Sequence, residues 1–360
     1  MRNPHSPPSP DNAAADAEHQ RAFAAGLATF GNEPVLILAH HDADGLASAT
    51  LFARTLPAIG RQSEVRLVGR GENPWSAEIR AELARRKIGG LIVVDLGARD
   101  GVLREGTPTI VVDHHVPQGA PAAATLITGF GMSPIPTSSL LSYRCASILA
   151  DATHLLWLAA IGIIGDMAEG LGFPEMDQAR ARYGLTVLRA ATTLINQPRR
   201  SSSGDATPAL ALLLKAKHPR EIVSGEHPET AQLIAARDEV RSELERVRRT
   251  APRVNAEVAL IQFASACQIH PLIAQMWSQR MKRRVVIAAN HGFRAGWVHF
   301  AARAAADVDL VAFLRDRAPA VTDASYGGGH RKASGGALQV ARWNEFVGNL
   351  GFGAEAQVAE

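Results

Sequence analysis

The sequence predicts an α/β protein: a parallel sheet with helices on both faces, followed by a smaller mixed α/β domain. Short apolar runs at residues 35–39, 91–94 and 109–112, with Thr109 the one polar residue among them, alternate with helical stretches. Strands with no polar face read as covered on both sides, as in parallel sheets flanked by helices. A length of 360 residues with 46% hydrophobic content sets a prior of about two domains, each with its own core.

Taken in order, residues 1–20 combine Pro4, Pro7, Pro8 and Pro10 with an Ala-rich segment and no apolar h-region. They read as a flexible tail and not as a signal peptide. The first domain covers 21–195. Its strand at 35–39 passes through Gly45, which permits a tight turn, into a helix at 46–58. Residues 65–68 read as a strand and 76–87 as a helix capped by Ser76. The apolar stretch 154–165 reads as helical. Residues 196–251 read as a loop, rich in Ser and Arg, and a connecting helix with Leu233, Val240, Leu244 and Val247 on one face. Arg246, Arg248 and Arg249 on it read as a solvated face. In the second domain, 252–350, strands at 257–262, 284–289 and 296–301 alternate with helices at 273–282 and 307–317. Residues 351–360 read as a tail.

No apolar run approaches the length of a membrane span. The net charge of +3 permits a polyanionic partner without requiring one. The two cysteines, Cys145 and Cys267, lie far apart in apolar surroundings, which reads as free thiols in a reducing cytoplasm.

The chemistry concentrates where the apolar runs end. Residues 35–39 lead into His40-His41-Asp42-Ala43-Asp44-Gly45, and 91–94 into Asp95. Residues 109–112 lead into Asp113-His114-His115, and the helical 154–165 into Asp166. His40, Asp42 and Asp44 would share one side if extended. The carboxyl ends of parallel strands lie along one edge, so residues distant in sequence converge there. One aspartate after a strand is commonly a helix cap. An inventory of carboxylates and imidazoles at several such ends suits a pair of hard or borderline cations, Mn²⁺ or Mg²⁺ more than structural zinc. In the second domain, Gly327-Gly328-Gly329-His330 could let backbone amides approach an anion.

These residues resemble the four ordered motifs of the DHH phosphoesterase family: His40-x-Asp42-x-Asp44-Gly45, Asp95, Asp113-His114-His115 and Gly165-Asp166. The His-x-Asp-x-Asp-Gly version looks closest to the RecJ-like single-strand exonucleases, especially their compact archaeal-type relatives. The nanoRNase branch carries its first histidine four positions before the first aspartate, where this chain has Leu38. The resemblance implies one ion held by His40, Asp42 and Asp95, and another by Asp44, Asp95, His114 and Asp166, with Asp95 bridging. Mn²⁺ is the first choice and Mg²⁺ the second. His115 would contact substrate phosphate, and Asp113 would orient a ligating imidazole. The implied reaction is phosphoester hydrolysis by water that the ions acidify.

Gly-Gly-Gly-His followed by Gly335-Gly336 is similar to the DHH-associated C-terminal domain. That implies substrate contacts from Gly327, Gly328, Gly329 and His330, joined by Arg303. Arg199 and Arg200 resemble residues near the family's substrate path. His270, Asn290 and His291 read as core or surface residues. The expected activity is a two-metal phosphodiesterase that degrades single-stranded nucleic acid or short oligonucleotides to mononucleotides. Full RecJ proteins add an oligonucleotide-binding fold for which this length leaves no room. One alternative is therefore hydrolysis of dinucleotides, cyclic dinucleotides or a nucleoside bisphosphate. A catalytically silent nucleic-acid-binding scaffold is another. The expected partner is the nucleic-acid substrate, with no membrane.

Overall fold

The computed structural model describes residues 10–322 and 326–359, with only the backbone at positions 10, 11, 329 and 330. Contacts divide the chain into two units, Met1–Arg199 with Gly204–Ala235, and Arg200–Ser203 with Ala236–Glu360.

In the first unit the strands are β1 (Val35–His40), β2 (Ser63–Val68), β3 (Gly90–Val94), β4 (Arg99–Gly101), β5 (Thr109–Asp113), β6 (Gln118–Pro121) and β7 (Thr125–Thr128). Five of them form one sheet in the order β2-β1-β3-β5-β7, while β4 and β6 make a separate pair. Every neighbouring pair in the larger sheet is parallel. The apolar runs are continuous because each strand feeds two cores. Val35, Ile37 and Ala39 of β1 and Ile92 and Val94 of β3 join the larger one. Leu36, Leu38, Leu91 and Val93 join the smaller one on the opposite face. Strand β7 escapes the sequence reading because only Ile127 of its four residues is buried.

The helices of this unit are α1 (Pro10–Ala28), α2 (Ala43–Thr55), α3 (Ala77–Ala84), α4 (Ser138–Ala146), α5 (Leu156–Gly165), α6 (Pro174–Tyr183), α7 (Leu185–Ile195), α8 (Thr207–Lys215) and α9 (Pro219–Ser224). Ser76 caps α3 by accepting from Ile79 N. Helix α5 is apolar all round because it is a core helix, buried from Leu156 to Ile163.

Three expectations are corrected. The tail expected through residue 20 is helix α1 from Pro10 onward. Phe23 and Leu27 anchor that helix in the larger core, and Arg144 of α4 holds Asp16 at 2.7 Å. Residues 1–9 lie outside the described residues. The linker expected from 196 instead carries α8 and α9, whose Leu212, Leu213 and Ile222 join the same core. At the other end, residues 351–360 do not behave as a tail over their described part. Ala356 is fully buried, and Val358 exchanges two hydrogen bonds with Asn344, 2.9 and 2.8 Å long.

Helix α10 (Pro228–Val247) runs on into the second unit. Strands β8 (Arg253–Val254), β9 (Val258–Phe263), β10 (Val285–Arg294), β11 (Trp297–Ala304), β12 (Gly328–His330) and β13 (Ala333–Gln339) form its sheet. Their order is β12-β13-β11-β10-β9-β8, parallel only between β9 and β10. Side chains alternate between two cores: Val285, Ile287 and Ala289 enter one with α12 (Leu310–Arg315) and α13 (Val340–Asn349). Val286 and Ala288 enter the other with α11 (His270–Ser278) and the end of α10. Among the described residues, no helix is long and apolar enough to cross a membrane.

Helix α1 is therefore expected to carry stability. Phe23 is fully buried and stacks on Phe52 with centroids 5.1 Å apart. Phe23→Ala should cost about 3–5 kcal/mol in urea unfolding. A loss of about 0.5 kcal/mol or less, the range of surface substitutions, would contradict this packing.

Candidate metal centre

The chain turns sharply at the end of β1. Asp42 is the N-cap of α2, with extended backbone, and its Oδ1 accepts from the amides of Asp44 and Gly45, both at 3.2 Å. His40, Asp42 and Asp44 therefore do not line one side of an extended strand, as their spacing predicted. Asp44 lies in the first turn of the helix, and a side chain at Gly45 would collide with the His40 carbonyl.

Asp44 is buried and doubly held. Its Oδ2 accepts from Ser138 N at 2.8 Å and its Oδ1 from Ser139 N at 2.9 Å, at the start of α4. Thr137 caps that helix. Ser138 also donates its hydroxyl to Asp95 Oδ1 at 3.0 Å. Asp95 follows β3 in left-handed backbone, φ 60°, which costs a non-glycine residue about 1–2 kcal/mol. Its amide bonds to Val112 O at 3.1 Å. The strain places a carboxylate where a continued strand would not.

The remaining groups gather around Asp95. His40 Nδ1 lies 3.2 Å from Asp42 and 3.4 Å from Asp95. His114 Nε2 lies 3.6 Å from Asp95 and 3.3 Å from Asp166. His115 Nδ1 lies 3.9 Å from Asp95 and 2.9 Å from Asp113. Three sets of ligand atoms each fall within 4.8 Å: His40, Asp42 and Asp95; Asp44, His114 and Asp166; Asp95, His114 and His115.

The cluster holds more negative charge than its surroundings balance. Burial, then the charges of Asp44, Asp95 and Asp42, push Asp166 up to about 10. Burial and the charges of Asp44 and Asp42 likewise hold Asp95 well above the usual carboxylate range. Asp166 is moreover the C-cap of α5, at the end of the helix dipole that disfavours an anion. Asp42 escapes upward displacement: burial opposes its ionisation, but His40, Arg199 and the Gly45 amide outweigh it. Burial lowers His114 despite the nearby acids, which favours the neutral imidazole that metals bind. Crowded carboxylates short of countercharge, together with neutral imidazole, fit divalent cations as the missing partner.

Asp113 is fully engaged. Its Oδ2 accepts from Gly97 N at 2.7 Å, and its Oδ1 from His115 N at 2.7 Å and from the His115 ring. It therefore grips His115, the imidazole expected to meet phosphate, and not His114, the imidazole expected to ligate metal. Burial works against protonation of His115, but that bond and the charges of Asp95 and Asp113 raise it to about 9.

Arg199 stands 3.9 Å from Asp42. Asn196 Oδ1 accepts from Arg199 Nε and from Ala43 N, both at 3.1 Å, so it braces the same turn. The 3₁₀ turn Pro198–Arg200 sends successive side chains about 120° apart, and Arg200 belongs to the second unit, its carbonyl accepting from Gln268 N at 2.8 Å.

In the second unit the glycine run is not a free turn. Gly327 has φ 71°, and Gly328 and Gly329 enter edge strand β12, paired with Gly335 and Ser334. The His330 side chain lies outside the described residues. Arg303 on β11 donates to Ala302 O at 2.9 Å. Burial lowers its guanidinium, with no carboxylate paired to it among the described residues. His270 is buried beside Phe293 and His299, Asn290 is buried with bonds to Ser265 and Cys267, and His291 is exposed.

Sequence reading missed Ser138, Ser139 and Gly162. The signal for the serines was the cap-forming Thr137-Ser138-Ser139 before Leu140-Leu141. Gly162 sat inside an apolar helix with nothing to distinguish it. A methyl group there would collide with Asp44 Oδ1 and Ser139 Oγ.

The parallel-sheet unit followed by a mixed-sheet unit shares its fold with solved RecJ and DHH-domain structures. RecJ from Thermus thermophilus in complex with Mn²⁺ matches at TM-score 0.71 and 19% identity, covering 92% of this chain and 54% of that one. The chain thus spans about half the length of that RecJ. An exonuclease RecJ bound to manganese matches at TM-score 0.68 and 20% identity, covering 92% and 93% of the two chains. The DHH domain of a member of a ribosomal-protein family matches at TM-score 0.64 and 14% identity, covering 95% and 92%. No protein-family model and no curated protein matches the chain.

Gly162→Ala should displace Asp44 and lower Mn²⁺ affinity by about tenfold or more in a calorimetric titration. Wild-type affinity in a folded variant would contradict the role assigned to this contact.

Proposed function

We propose that the chain is a DHH-family phosphodiesterase related to RecJ, dependent on two divalent cations, Mn²⁺ before Mg²⁺. Its substrate is single-stranded nucleic acid or a short oligonucleotide, cleaved to mononucleotides. The observation that carries this reading is the convergence of His40, Asp42, Asp44, Asp95, His114 and Asp166 from distant segments into overlapping sets of ligand atoms. In this reading one cation takes His40, Asp42 and Asp95, and the other takes Asp44, Asp95, His114 and Asp166. Bound there, such ions supply Lewis acidity to a phosphoryl oxygen and acidify an attacking water.

The chain's own residues do the rest. The Ser138 and Ser139 amides and the Ser138 hydroxyl fix Asp44 and Asp95 before any ion arrives. Asp113 fixes His115, which meets the substrate phosphate as a protonated donor. Arg199 and Arg200 contact the nucleic-acid backbone. In the second unit Arg303, His330 and the glycines 327–329 form the further phosphate contact; a half-buried guanidinium with no carboxylate paired to it among the described residues is suited to an anion.

A second reading, hydrolysis of dinucleotides, cyclic dinucleotides or a nucleoside bisphosphate, is favoured by the aromatic supply. Aromatics are 5% of residues, and of the tryptophans in the first unit Trp157 is fully buried and Trp75 packs against the smaller core. Few rings are left to stack a long single strand.

Assays with Mn²⁺ and Mg²⁺ on end-labelled single strands and on dinucleotides separate the two. Faster turnover of longer strands supports the exonuclease; equal or faster turnover of dinucleotides hands the assignment to the small-substrate reading. Asp95→Ala should reduce turnover by at least about a hundredfold, and unchanged activity would exclude the assigned centre. Arg303→Ala should raise KM about tenfold, the loss of one charged hydrogen bond, while sparing Mn²⁺ binding; lost Mn²⁺ binding would contradict its role.

A further inference from the structure

Helix α5 closes in a way that ordinarily calls for glycine. Met167 N–H donates to Ile164 O at 3.1 Å and Ala168 N–H to Ile163 O at 2.9 Å. In this capping pattern the residue after the C-cap adopts left-handed backbone, which glycine takes without steric cost. Here the residue is Met167, at φ 58°. Its side chain is not spent on packing, for it is 80% exposed. Val116, 56% exposed, holds the matching place after His115.

Both residues directly follow members of the same cluster. Asp166 lies 3.3 Å from His114, and His115 lies 3.9 Å from Asp95. Two large apolar side chains thus leave the rim of the acidic cluster without joining either core of their unit. Exposed apolar surface and left-handed strain both work against stability. The sequence keeps them where a glycine and a polar residue would fold at least as well.

We infer that Met167 and Val116 form an apolar ledge for the nucleobase of the nucleotide whose phosphate sits at the cluster. This rests on the phosphodiesterase reading above and names what that site grips besides phosphate. A thioether is polarisable and flexible, and packs on any aromatic ring. The ledge therefore favours ligands that carry a base over bare sugar phosphates, without choosing among bases, since every base offers a π face.

The test uses the full chain loaded with Mn²⁺, titrated calorimetrically with thymidine 5′-monophosphate and with 2-deoxyribose 5-phosphate. The wild type should bind the nucleotide about five- to tenfold more tightly. Met167→Gly and Val116→Ser should bring that ratio towards one, and Met167→Gly should melt at an unchanged or higher temperature because it relieves the left-handed strain. Equal affinities in the Mn²⁺-loaded wild type overturn the ledge alone. So does a ratio that survives Met167→Gly, or a parallel weakening of both compounds. A protein that takes up no Mn²⁺ in the same titration overturns the metal reading and the ledge with it.

Discussion

The structure around the sheet edge depends on one constraint: several carboxylates are held together, largely out of water, with too little positive charge beside them. Asp44 and Asp95 are almost fully buried, and Asp166 is raised to about 10 by burial and by its acidic neighbours. Leaving such groups unpaired costs folding free energy. The protein does not relax that cost by turning them outward. It fastens them with the Ser138 and Ser139 amides, the Ser138 hydroxyl, a left-handed Asp95 and a helix C-terminus at Asp166. A scaffold that spends this much on preorganising anions is built for cations.

The second constraint is topological. In a parallel sheet every strand ends at the same edge, so residues separated by about a hundred positions meet without any loop having to travel far. The order β2-β1-β3-β5-β7 puts β3 at the middle of the sheet, and Asp95, which follows it, belongs to two of the three sets of ligand atoms, as does His114. Helices α2, α4 and α5 pack on one another in the larger core, and Gly162 is small because Asp44 and Ser139 occupy the space where its side chain would be.

The strands with chemistry at their ends were legible because burial on both faces writes a continuous apolar run followed by an abrupt polar residue. Val35–His40 and Gly90–Val94 show that signal plainly. Strand β7 and helices α8 and α9 were not legible, since their burial is decided by neighbours distant in sequence. The cluster's membership could be read from residue types, but its geometry could not. Even spacing suggested an extended His40-Asp42-Asp44 row, whereas an N-cap at Asp42 turns the chain after His40. The bracing by Ser138 and Asn196 left only ordinary capping and loop signals. In the second unit the glycine run read as a turn, and its place in an edge strand depends on pairing with Gly335 and Ser334.

Two cations sharing Asp95 are the central requirement of this centre. Anomalous diffraction from crystals grown with Mn²⁺ tests it directly. Two peaks about 3.5–4 Å apart, one beside His40 and Asp42, the other beside Asp44, His114 and Asp166, with Asp95 touching both, are what the account predicts. A cluster without anomalous density at saturating Mn²⁺, or peaks that leave Asp95 uncoordinated, would contradict it.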